Sequence, residues 1–257
     1  MAGSKRIREN ERQRLARQAA RRAAARERAR RRNGMIGAAV ATLLVLGGVA
    51  FTGIKLARPD RSAATAAKLG AACVYPRPPG APKPARDVGA PPLSAGDTKV
   101  PYAATMVTNR GTVQFDLRSA DAPCTTNAFR YLAEMKYFDK TPCHRLTSGE
   151  LSVLQCGDPT GTGSGGPGFT IKDENLKGAT YPAGTVAMAN SGPNTNGSQF
   201  FLVYKDSSLP PSYTPFGRIT AGLDVLQKIA AAGSTPAGDG KPNQPVTIST
   251  LTVAKKA

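Results

Sequence analysis

The sequence predicts a mainly β protein, in which helices cover the ends of a β-barrel and one transmembrane helix precedes it. From Tyr102 onward, short apolar runs are broken by Gly, Pro, Asn and Asp, a pattern typical of many short strands. Only two stretches of this region have apolar residues at helical spacing. Before it, the twenty residues from Met35 to Ile54 carry no charge. A run of about 20 apolar residues spans a hydrocarbon core of roughly 30 Å.

The first 34 residues form a basic arm. Lys and Arg outnumber Asp and Glu by 35 to 17 in the chain, which gives a net charge of +18, and the 13 basic and 3 acidic residues of the arm supply +10 of it. Positive charge before an apolar segment keeps that side in the cytoplasm and attracts anionic lipid. No aromatic residue interleaves the arginines, so the arm has no base-stacking platform and we expect no specific nucleic acid as partner.

Charge and proline content divide the chain into four regions. We expect a cytoplasmic arm over residues 1–34, a transmembrane helix over 35–56, a Pro/Ala-rich tether over 57–100 and a folded domain over 101–257. Seven prolines within 76–92 make the tether a semi-rigid spacer. A cleaved signal peptide is the alternative to the membrane helix, but its apolar part is usually about 7–15 residues long. We therefore expect a single-pass protein of the cell membrane, with a cytoplasmic N-terminus and an extracytoplasmic domain.

The folded domain begins with a predicted hairpin, in which Ala103–Thr108 and Thr112–Leu117 flank Asn109-Arg110-Gly111. Val246–Val253 largely alternates again and is predicted to close the sheet. Apolar residues at helical spacing predict two helices, marked by Ala128, Phe129 and Leu132 in the first and by Leu223, Leu226 and Ile229 in the second.

Two patterns suggest chemistry that their context does not support. Gly161–Gly166 satisfies the letters of a dinucleotide-binding loop, but Pro167 and Gly168 follow, so no helix N-terminus is available and we expect a surface loop. The sequence contains a single histidine, His144, so a His-rich zinc site cannot be built. We expect His144 to be a packing residue, and we expect neither a metal site nor a cofactor.

Two segments carry a specific resemblance. The first reads Cys-His-Arg-Leu at 143–146 and Leu-Gln-Cys-Gly-Asp-Pro at 154–159; the second runs from Met188 to Phe201, and Phe216-Gly217 follows. Over roughly residues 101–255 the chain resembles the cyclophilins, which are peptidyl-prolyl cis-trans isomerases, and it is similar to the membrane-anchored cell-envelope cyclophilins of actinobacteria. The resemblance implies a closed, cyclophilin-like eight-stranded β-barrel capped by two helices. It also implies proline-containing polypeptides, among secreted or envelope proteins, as partners.

The resemblance implies a site that needs no nucleophile. Rotation about an X–Pro bond breaks amide resonance against a barrier of about 18–20 kcal/mol. Arg145 is the expected transition-state donor, since a guanidinium group carries five N–H donors and is always charged. Gln155 and Asn190 are the other expected catalytic residues, and they would hold the substrate backbone. The expected substrate-binding residues are Val153, Ala189, Gln199, Phe201, Leu209 and Tyr213.

The family pattern is interrupted between Arg145 and Gln155, where this chain is two residues longer. Counting back from Gln155, Val153 takes the position of a methionine-type wall. The phenylalanine of the pocket becomes Ser152, or Leu151 if the turn shifts. One hydrophobic wall of the predicted pocket therefore has two candidate residues.

The four cysteines favour two disulfides in a domain outside the membrane. Cys143 and Cys156 flank a predicted hairpin and could face each other across it, so that Cys73 and Cys124 would pin the tether to the barrel. Three connectivities are formally possible, and buried free thiols are the alternative.

Two other functions stay open at this point. The barrel could hold Pro-containing peptides as a chaperone with little turnover, although Arg145 and Gln155 argue against a pure binder. Alternatively, the basic arm could be the functional end of an interaction protein.

Overall fold

The computed structural model describes residues 71–77 and 83–256. The predicted basic arm, the predicted transmembrane helix and the first part of the predicted tether lie outside these residues. Within the described ranges, no helix has both the length and the apolar character that a membrane span requires.

The fold is mainly β, with eleven strands and two helices in the described residues. The strands form one antiparallel sheet in the order β3-β11-β1-β2-β8-β6-β7-β5-β4-β10-β9. They are β1 Tyr102–Thr108, β2 Gly111–Leu117, β3 Thr141–Cys143, β4 Arg145–Thr147, β5 Val153–Cys156, β6 Thr185–Met188, β7 Phe200–Val203, β8 Pro215–Ala221, β9 Ser234–Thr235, β10 Asp239–Pro242 and β11 Val246–Lys255.

The strand count and the closure differ from the expected eight-stranded closed barrel. Among the described residues the hydrogen-bonded order has two ends, β3 and β9, and the sheet curls around the core. The extra strands arise where the chain changes partner within a few residues. At His144 it leaves the pairing of Cys143 with Val246 and enters the pairing of Arg145 with Gln155. One run of residues therefore contributes two strands.

The predicted hairpin is confirmed. Strands β1 and β2 pair in register from Tyr102 opposite Leu117 to Thr108 opposite Gly111, so that Asn109 and Arg110 form the turn. Gly111 has a φ of 134°, which L-residues rarely adopt. The turn chemistry read from the sequence therefore set the register of this pair.

Both predicted helices are present, as α1 Pro123–Glu134 and α2 Leu223–Ala231. Helix α1 begins with proline, which has no backbone N–H to leave unpaired. The Glu174 carboxylate accepts hydrogen bonds from the next two backbone N–H groups, those of Cys124 and Thr125, at 3.1 and 2.8 Å. A carboxylate at this end also meets the positive end of the helix dipole.

Two apolar clusters lie on opposite faces of the sheet. The main core is built around aromatic rings whose centroids lie 4.9–5.9 Å apart, those of Phe115, Phe129, Phe138, Phe200 and Phe216. The smaller cluster contains Val153, Tyr181, Ala187, Phe201 and Val203. Successive side chains of a strand point to opposite faces, so neighbouring residues of β7 belong to different clusters.

The second part of the predicted tether is packed onto the domain. Residues 71–77 and 83–100, here called the N-terminal strap, include Cys73, Tyr75 and Ala95 in the buried core. The side-chain amide of Asn127 on α1 donates to the Tyr75 hydroxyl at 2.9 Å and to the Pro92 carbonyl at 2.8 Å. The expectation of a spacer is therefore wrong for these residues, because they bury apolar side chains and satisfy polar groups of the domain.

All four cysteines are paired. Cys73 bonds to Cys124, 51 residues away, and Cys143 bonds to Cys156, 13 residues away. This is the connectivity that the sequence analysis favoured over free thiols. One disulfide ties the N-terminal strap to the first turn of α1, and the other joins β3 to β5.

Candidate active site

Three predicted site residues are cross-strand neighbours. Arg145 on β4 lies opposite Gln155 on β5, and Gln155 lies opposite Phe201 on β7. Residues directly opposite in an antiparallel pair share one face of the sheet. The sheet therefore brings a guanidinium, an amide and an aromatic ring into one row, although 56 positions separate the first from the last in the sequence.

Asp239 holds the Arg145 guanidinium. Nε and Nη2 of Arg145 donate to the two carboxylate oxygens of Asp239, each at 2.7 Å, and Nη1 donates to Oε1 of Gln155 at 3.3 Å. The bond to Asp239 raises the pKa of Arg145 and lowers the pKa of Asp239. A guanidinium carries five N–H donors, so one on Nη1 and one on Nη2 remain free of the partners described. Both the charge and the orientation of Arg145 are thereby fixed.

The polar row continues through two amides into a loop. Nε2 of Gln155 donates to Oε1 of Gln199 at 2.8 Å. Nε2 of Gln199 in turn donates to the carbonyls of Gly163 and Gly165, each at 3.0 Å. Each amide uses both its donor and its acceptor end, so the orientation of Gln155 depends on the position of this loop.

Asp158 organises the glycine-rich loop, which has no dinucleotide-binding geometry. Its buried carboxylate accepts hydrogen bonds from the backbone N–H groups of Thr160, Thr162, Gly163 and Gly165 at 2.8–3.1 Å. Burial alone would raise the pKa of Asp158, but these bonds and that of the Thr160 hydroxyl outweigh it and lower the pKa to about 2. The loop is therefore built around a carboxylate that stays ionised.

Gly165 has no room for a side chain. A Cβ at this position would lie 2.0 Å from Oδ1 of Asp158. The glycine therefore allows the backbone to approach the carboxylate closely. The sequence analysis identified the loop but missed the role of Asp158.

The apolar part of the site is the smaller cluster, which contains most of the predicted wall residues. The ring of Phe201 lies 5.6 Å from that of Tyr213 and 6.4 Å from that of Tyr181. Burial raises the pKa of Tyr181, whose hydroxyl donates to the Tyr213 carbonyl at 2.8 Å. Tyr181 is a wall residue that the sequence analysis missed. The predicted walls that this cluster brings together are Val153, Ala189, Phe201, Leu209 and Tyr213.

The structure distinguishes the two candidates for the missing phenylalanine wall. Leu151 packs against the small cluster, half-buried. The Ser152 side chain is buried elsewhere, where its hydroxyl donates to the Gly149 carbonyl at 3.0 Å. A shift of the turn therefore places Leu151 at the pocket.

Asn190 lies close to Gln155 and Gln199, and its side-chain amide is hydrogen-bonded to other residues of the protein. Its amide nitrogen donates to the Ser212 carbonyl at 2.8 Å and to Oδ1 of Asn196 at 3.4 Å, and its amide oxygen accepts from the Gly192 N–H at 3.2 Å. The side chain thus anchors the loop that carries it. Contact of Asn190 with a substrate backbone stays a prediction.

His144 has the environment of a packing residue. Both ring nitrogens are buried, and neither makes a well-aligned hydrogen bond in the described part of the chain, although the Gln199 side chain lies close enough to oppose part of the effect of burial. Burial lowers the pKa of His144, so the ring is neutral at pH 7. In the same described residues, no group of three His, Cys, Asp or Glu is placed to hold a metal ion.

Comparison with known proteins supports the arrangement. The family model described as cyclophilin type peptidyl-prolyl cis-trans isomerase/CLD matches residues 103–253. The chain is similar to the probable peptidyl-prolyl cis-trans isomerase B of Mycobacterium tuberculosis, with 46% identity over 206 residues. It is also similar to that of Mycobacterium leprae, with 49% identity over 203 residues. These matches cover 72% and 71% of this chain, and 65% and 67% of the relatives' own length.

A solved structure shows the same fold. A cyclophilin-type isomerase of Cryptosporidium parvum superposes with a TM-score of 0.53 at 30% identity, and the match covers 61% of this chain and 99% of that one. A second structure of that protein, in the presence of the dipeptide Ala-Pro, superposes with the same TM-score at 31% identity, over 60% and 99% of the two chains. Residues 103–253, which the family model matches, include the strands that carry the row from Arg145 to Phe201. The chain belongs to the cyclophilin-type peptidyl-prolyl cis-trans isomerase family.

Proposed function

We propose that the domain accelerates cis-trans rotation about X–Pro bonds in secreted or envelope proteins, with Arg145 as the transition-state donor. The observation that carries the proposal is the clamped guanidinium of Arg145, with one N–H free on each terminal nitrogen, in the row that ends at Phe201. A fixed charged donor beside an apolar pocket suits a reaction in which no covalent bond to the protein forms.

The chemistry follows from amide resonance. Delocalisation of the nitrogen lone pair makes the X–Pro bond stiff, and rotation localises that pair on the proline nitrogen. A donor that meets the localised pair stabilises the twisted state more than either planar state. Because Asp239 already holds the Arg145 guanidinium, the donor has little reorganisation to undergo during rotation.

The pocket and the polar row have separate tasks. Phe201, Tyr213 and Leu209 offer an apolar surface for the pyrrolidine ring. The Gln155 amide lies next to Arg145 and keeps one N–H of Nε2 free of the described partners for the substrate backbone, while Gln199 holds Gln155 in place. Gripping the ring while fixing the backbone on one side leaves the X–Pro bond as the axis about which the substrate turns.

We also propose that the domain works outside the cell membrane, anchored by the apolar run and oriented by the basic arm. The charge pattern of residues 1–54 supports this orientation. The two disulfides support an oxidising compartment. Protease added to intact spheroplasts should remove the domain and spare the arm, whereas protection of the domain would reverse the proposed orientation.

The catalytic proposal is tested by replacing Arg145. Arg145→Ala should reduce kcat/KM by about 10²–10³-fold, the usual cost of removing one transition-state donor. The measurement is peptide isomerisation, by a protease-coupled assay or by NMR exchange, on the full chain. Arg118→Ala is the matched control, because Arg118 is also a half-exposed arginine paired with an aspartate, Asp121, at 2.8 Å.

The outcome separates the proposal from its alternative. Wild-type turnover in Arg145→Ala would remove Arg145 from the catalytic role. A wild-type chain that binds Pro-containing peptides without accelerating their isomerisation would instead be a chaperone module, the second function that the sequence left open.

A further inference from the structure

A groove extends from the candidate active site along the glycine-rich loop. Its volume is about 520 Å³, within the range of clefts that hold ligands. Gln155, which accepts a hydrogen bond from Arg145, lines the groove together with Asn190 and Gln199. The loop from Gly163 to Thr170 lines the groove along its length, together with Lys83 of the N-terminal strap. A segment that precedes the family domain thus forms part of a groove that begins at its active site.

Backbone hydrogen bonds at two places hold the N-terminal strap against the glycine-rich loop. The Ala85 N–H donates to the Gly166 carbonyl, and the Thr170 N–H donates to the Pro76 carbonyl, each at 2.9 Å. Pro84 lies so close to Gly168 that a Cβ on this glycine would be 3.1 Å from the Pro84 ring. Pro76 before Lys83, and Pro84 and Ala85 after it, are therefore held by contacts with the domain.

Two further contacts anchor the strap beyond the groove. The guanidinium of Arg86 donates to the carbonyls of Lys136 and Tyr137 at 2.6 and 3.1 Å, just after α1. The disulfide between Cys73 and Cys124 ties the other end to the start of α1. These contacts hold the described residues around Lys83 against the domain, so that the backbone of Lys83 stays at the groove while its long side chain can move.

Lys83 gives the groove its charge. Within the described residues it is the one charged residue among those that line the groove, and it takes part in none of the described ion pairs. Two carboxylates belong to the loops around the groove, but neither lines it. Asp158 is buried under the loop and accepts from four backbone N–H groups. Asp173 accepts from the Asn194 N–H and the Asn196 amide, each at 2.8 Å.

We propose that the strap completes a subsite for an acidic residue near the proline of the substrate, and that Lys83 is the residue that selects it. The inference rests on the proposed function, because the groove would hold the peptide whose proline occupies the Phe201 pocket. The ammonium group of Lys83 is a mobile point charge, so it attracts a carboxylate without demanding one geometry. The preference is therefore electrostatic, and added salt weakens it.

The test compares equilibrium binding of six series of three fluorescent peptides to the full chain. All peptides share one Ala-Pro centre, and each series places Glu, Ala or Lys at one of six positions, three before the centre and three after it. At one of these positions, the wild-type chain should bind the Glu peptide about two- to fivefold more tightly than the Ala peptide. This factor is the gain in affinity that one solvent-exposed ion pair provides. Lys83→Glu should reverse the order of the Glu and Lys peptides.

Lys99→Glu is the matched control, because Lys99 is an exposed lysine of the same strap that does not line the groove. It changes the net charge equally and should leave the preference intact. An unchanged preference in Lys83→Glu, or an equal change in Lys99→Glu, would overturn the inference. Isomerisation of the Ala peptide is measured in parallel, because it reports on the proposed function alone, while the binding order of the charged peptides reports on the groove.

Discussion

Phe200 and Phe201 are consecutive residues of one strand with different surroundings. Phe200 lies in the main core, with its ring 5.3 Å from that of Phe129 and 5.6 Å from that of Phe138. Phe201 lies on the other face, next to Tyr181 and Tyr213 and opposite Gln155. The first face is enclosed by aromatic and aliphatic side chains, whereas half-buried residues such as Leu151 and Leu209 rim the second. A single strand thus contributes one residue to the core and the next to the candidate site.

The largest expected effect separates the two faces directly. Phe200→Ala should lower the free energy of unfolding by about 3–5 kcal/mol, because it leaves a cavity in a closely packed core. Phe201→Ala should cost less stability, since several of its neighbours are only half-buried, and should raise KM for peptide substrates. Urea unfolding and peptide isomerisation of both variants are the measurements. Equal losses of stability would show that the small cluster is as much a part of the core as the large one.

The two disulfides sharpen the comparison. Cys73→Ala/Cys124→Ala opens a loop of 51 residues and should cost about 4 kcal/mol of stability by loop entropy. Isomerisation of an uncharged peptide should change little, because this disulfide contacts no residue of the polar row and the strap is also held by the hydrogen bonds of Arg86. Cys143→Ala/Cys156→Ala opens a loop of 13 residues and should cost about 3 kcal/mol.

The second pair should also reduce turnover, because Cys156 is adjacent to Gln155 in β5. Unfolding and isomerisation are measured on both double variants. A loss of turnover in the first pair alone would contradict the division between the two faces.

Asp239 tests the polar side of the site without touching the core. Asp239→Asn should lower kcat about tenfold with little change in KM, since it loses one of two charge-assisted hydrogen bonds that orient Arg145. The stability should be nearly unchanged, because the pair is exposed to solvent. Asp121→Asn is the control, because it weakens a similar exposed pair away from the site. A rise in KM at constant kcat would assign Asp239 to substrate binding instead.

The smallest expected effect is a pH dependence at the junction of β3 and β4. Burial lowers the pKa of His144, so the unfolded chain binds a proton more readily than the folded one. The contribution of neutral His144 to the free energy of unfolding is therefore fully present above the ordinary histidine pKa of about 6.5. It decreases as the pH falls below that value, by at most about 1.4 kcal/mol per pH unit.

His144→Leu should remove this dependence. The difference in unfolding free energy between wild type and variant, measured in urea from pH 5 to pH 8, should be constant above neutrality and fall on the acid side. A constant difference over the whole range would mean that His144 titrates alike in both states. Asp158, with a pKa of about 2, contributes only at lower pH.

Local sequence signals predicted much of the fold. The Asn-Arg-Gly turn predicted the first hairpin, and the spacing of Phe129 and Leu132 predicted α1. The resemblance identified Arg145, Gln155 and Phe201, which the sheet then placed in one row. The expected number of eight strands was wrong. A strand ends where the chain changes its pairing partner, as at His144, and that change depends on which strand the chain pairs with next. No local pattern encodes that choice.

The sequence by itself determined the hairpin and the two helices, because turn chemistry and side-chain periodicity act over a few neighbouring positions. Its two motifs identified the family, and through that resemblance they supplied the candidate site residues. Only the tertiary structure decided that Asp239, 94 residues from Arg145, clamps the guanidinium, and that Asp158 organises the glycine-rich loop. The same is true of the strap. Its prolines indicate a spacer when read alone, and the burial of Tyr75 and the bond from Cys73 to Cys124 make it part of the domain. These outcomes depend on contacts between distant segments, whose partners the folded topology alone brings within reach.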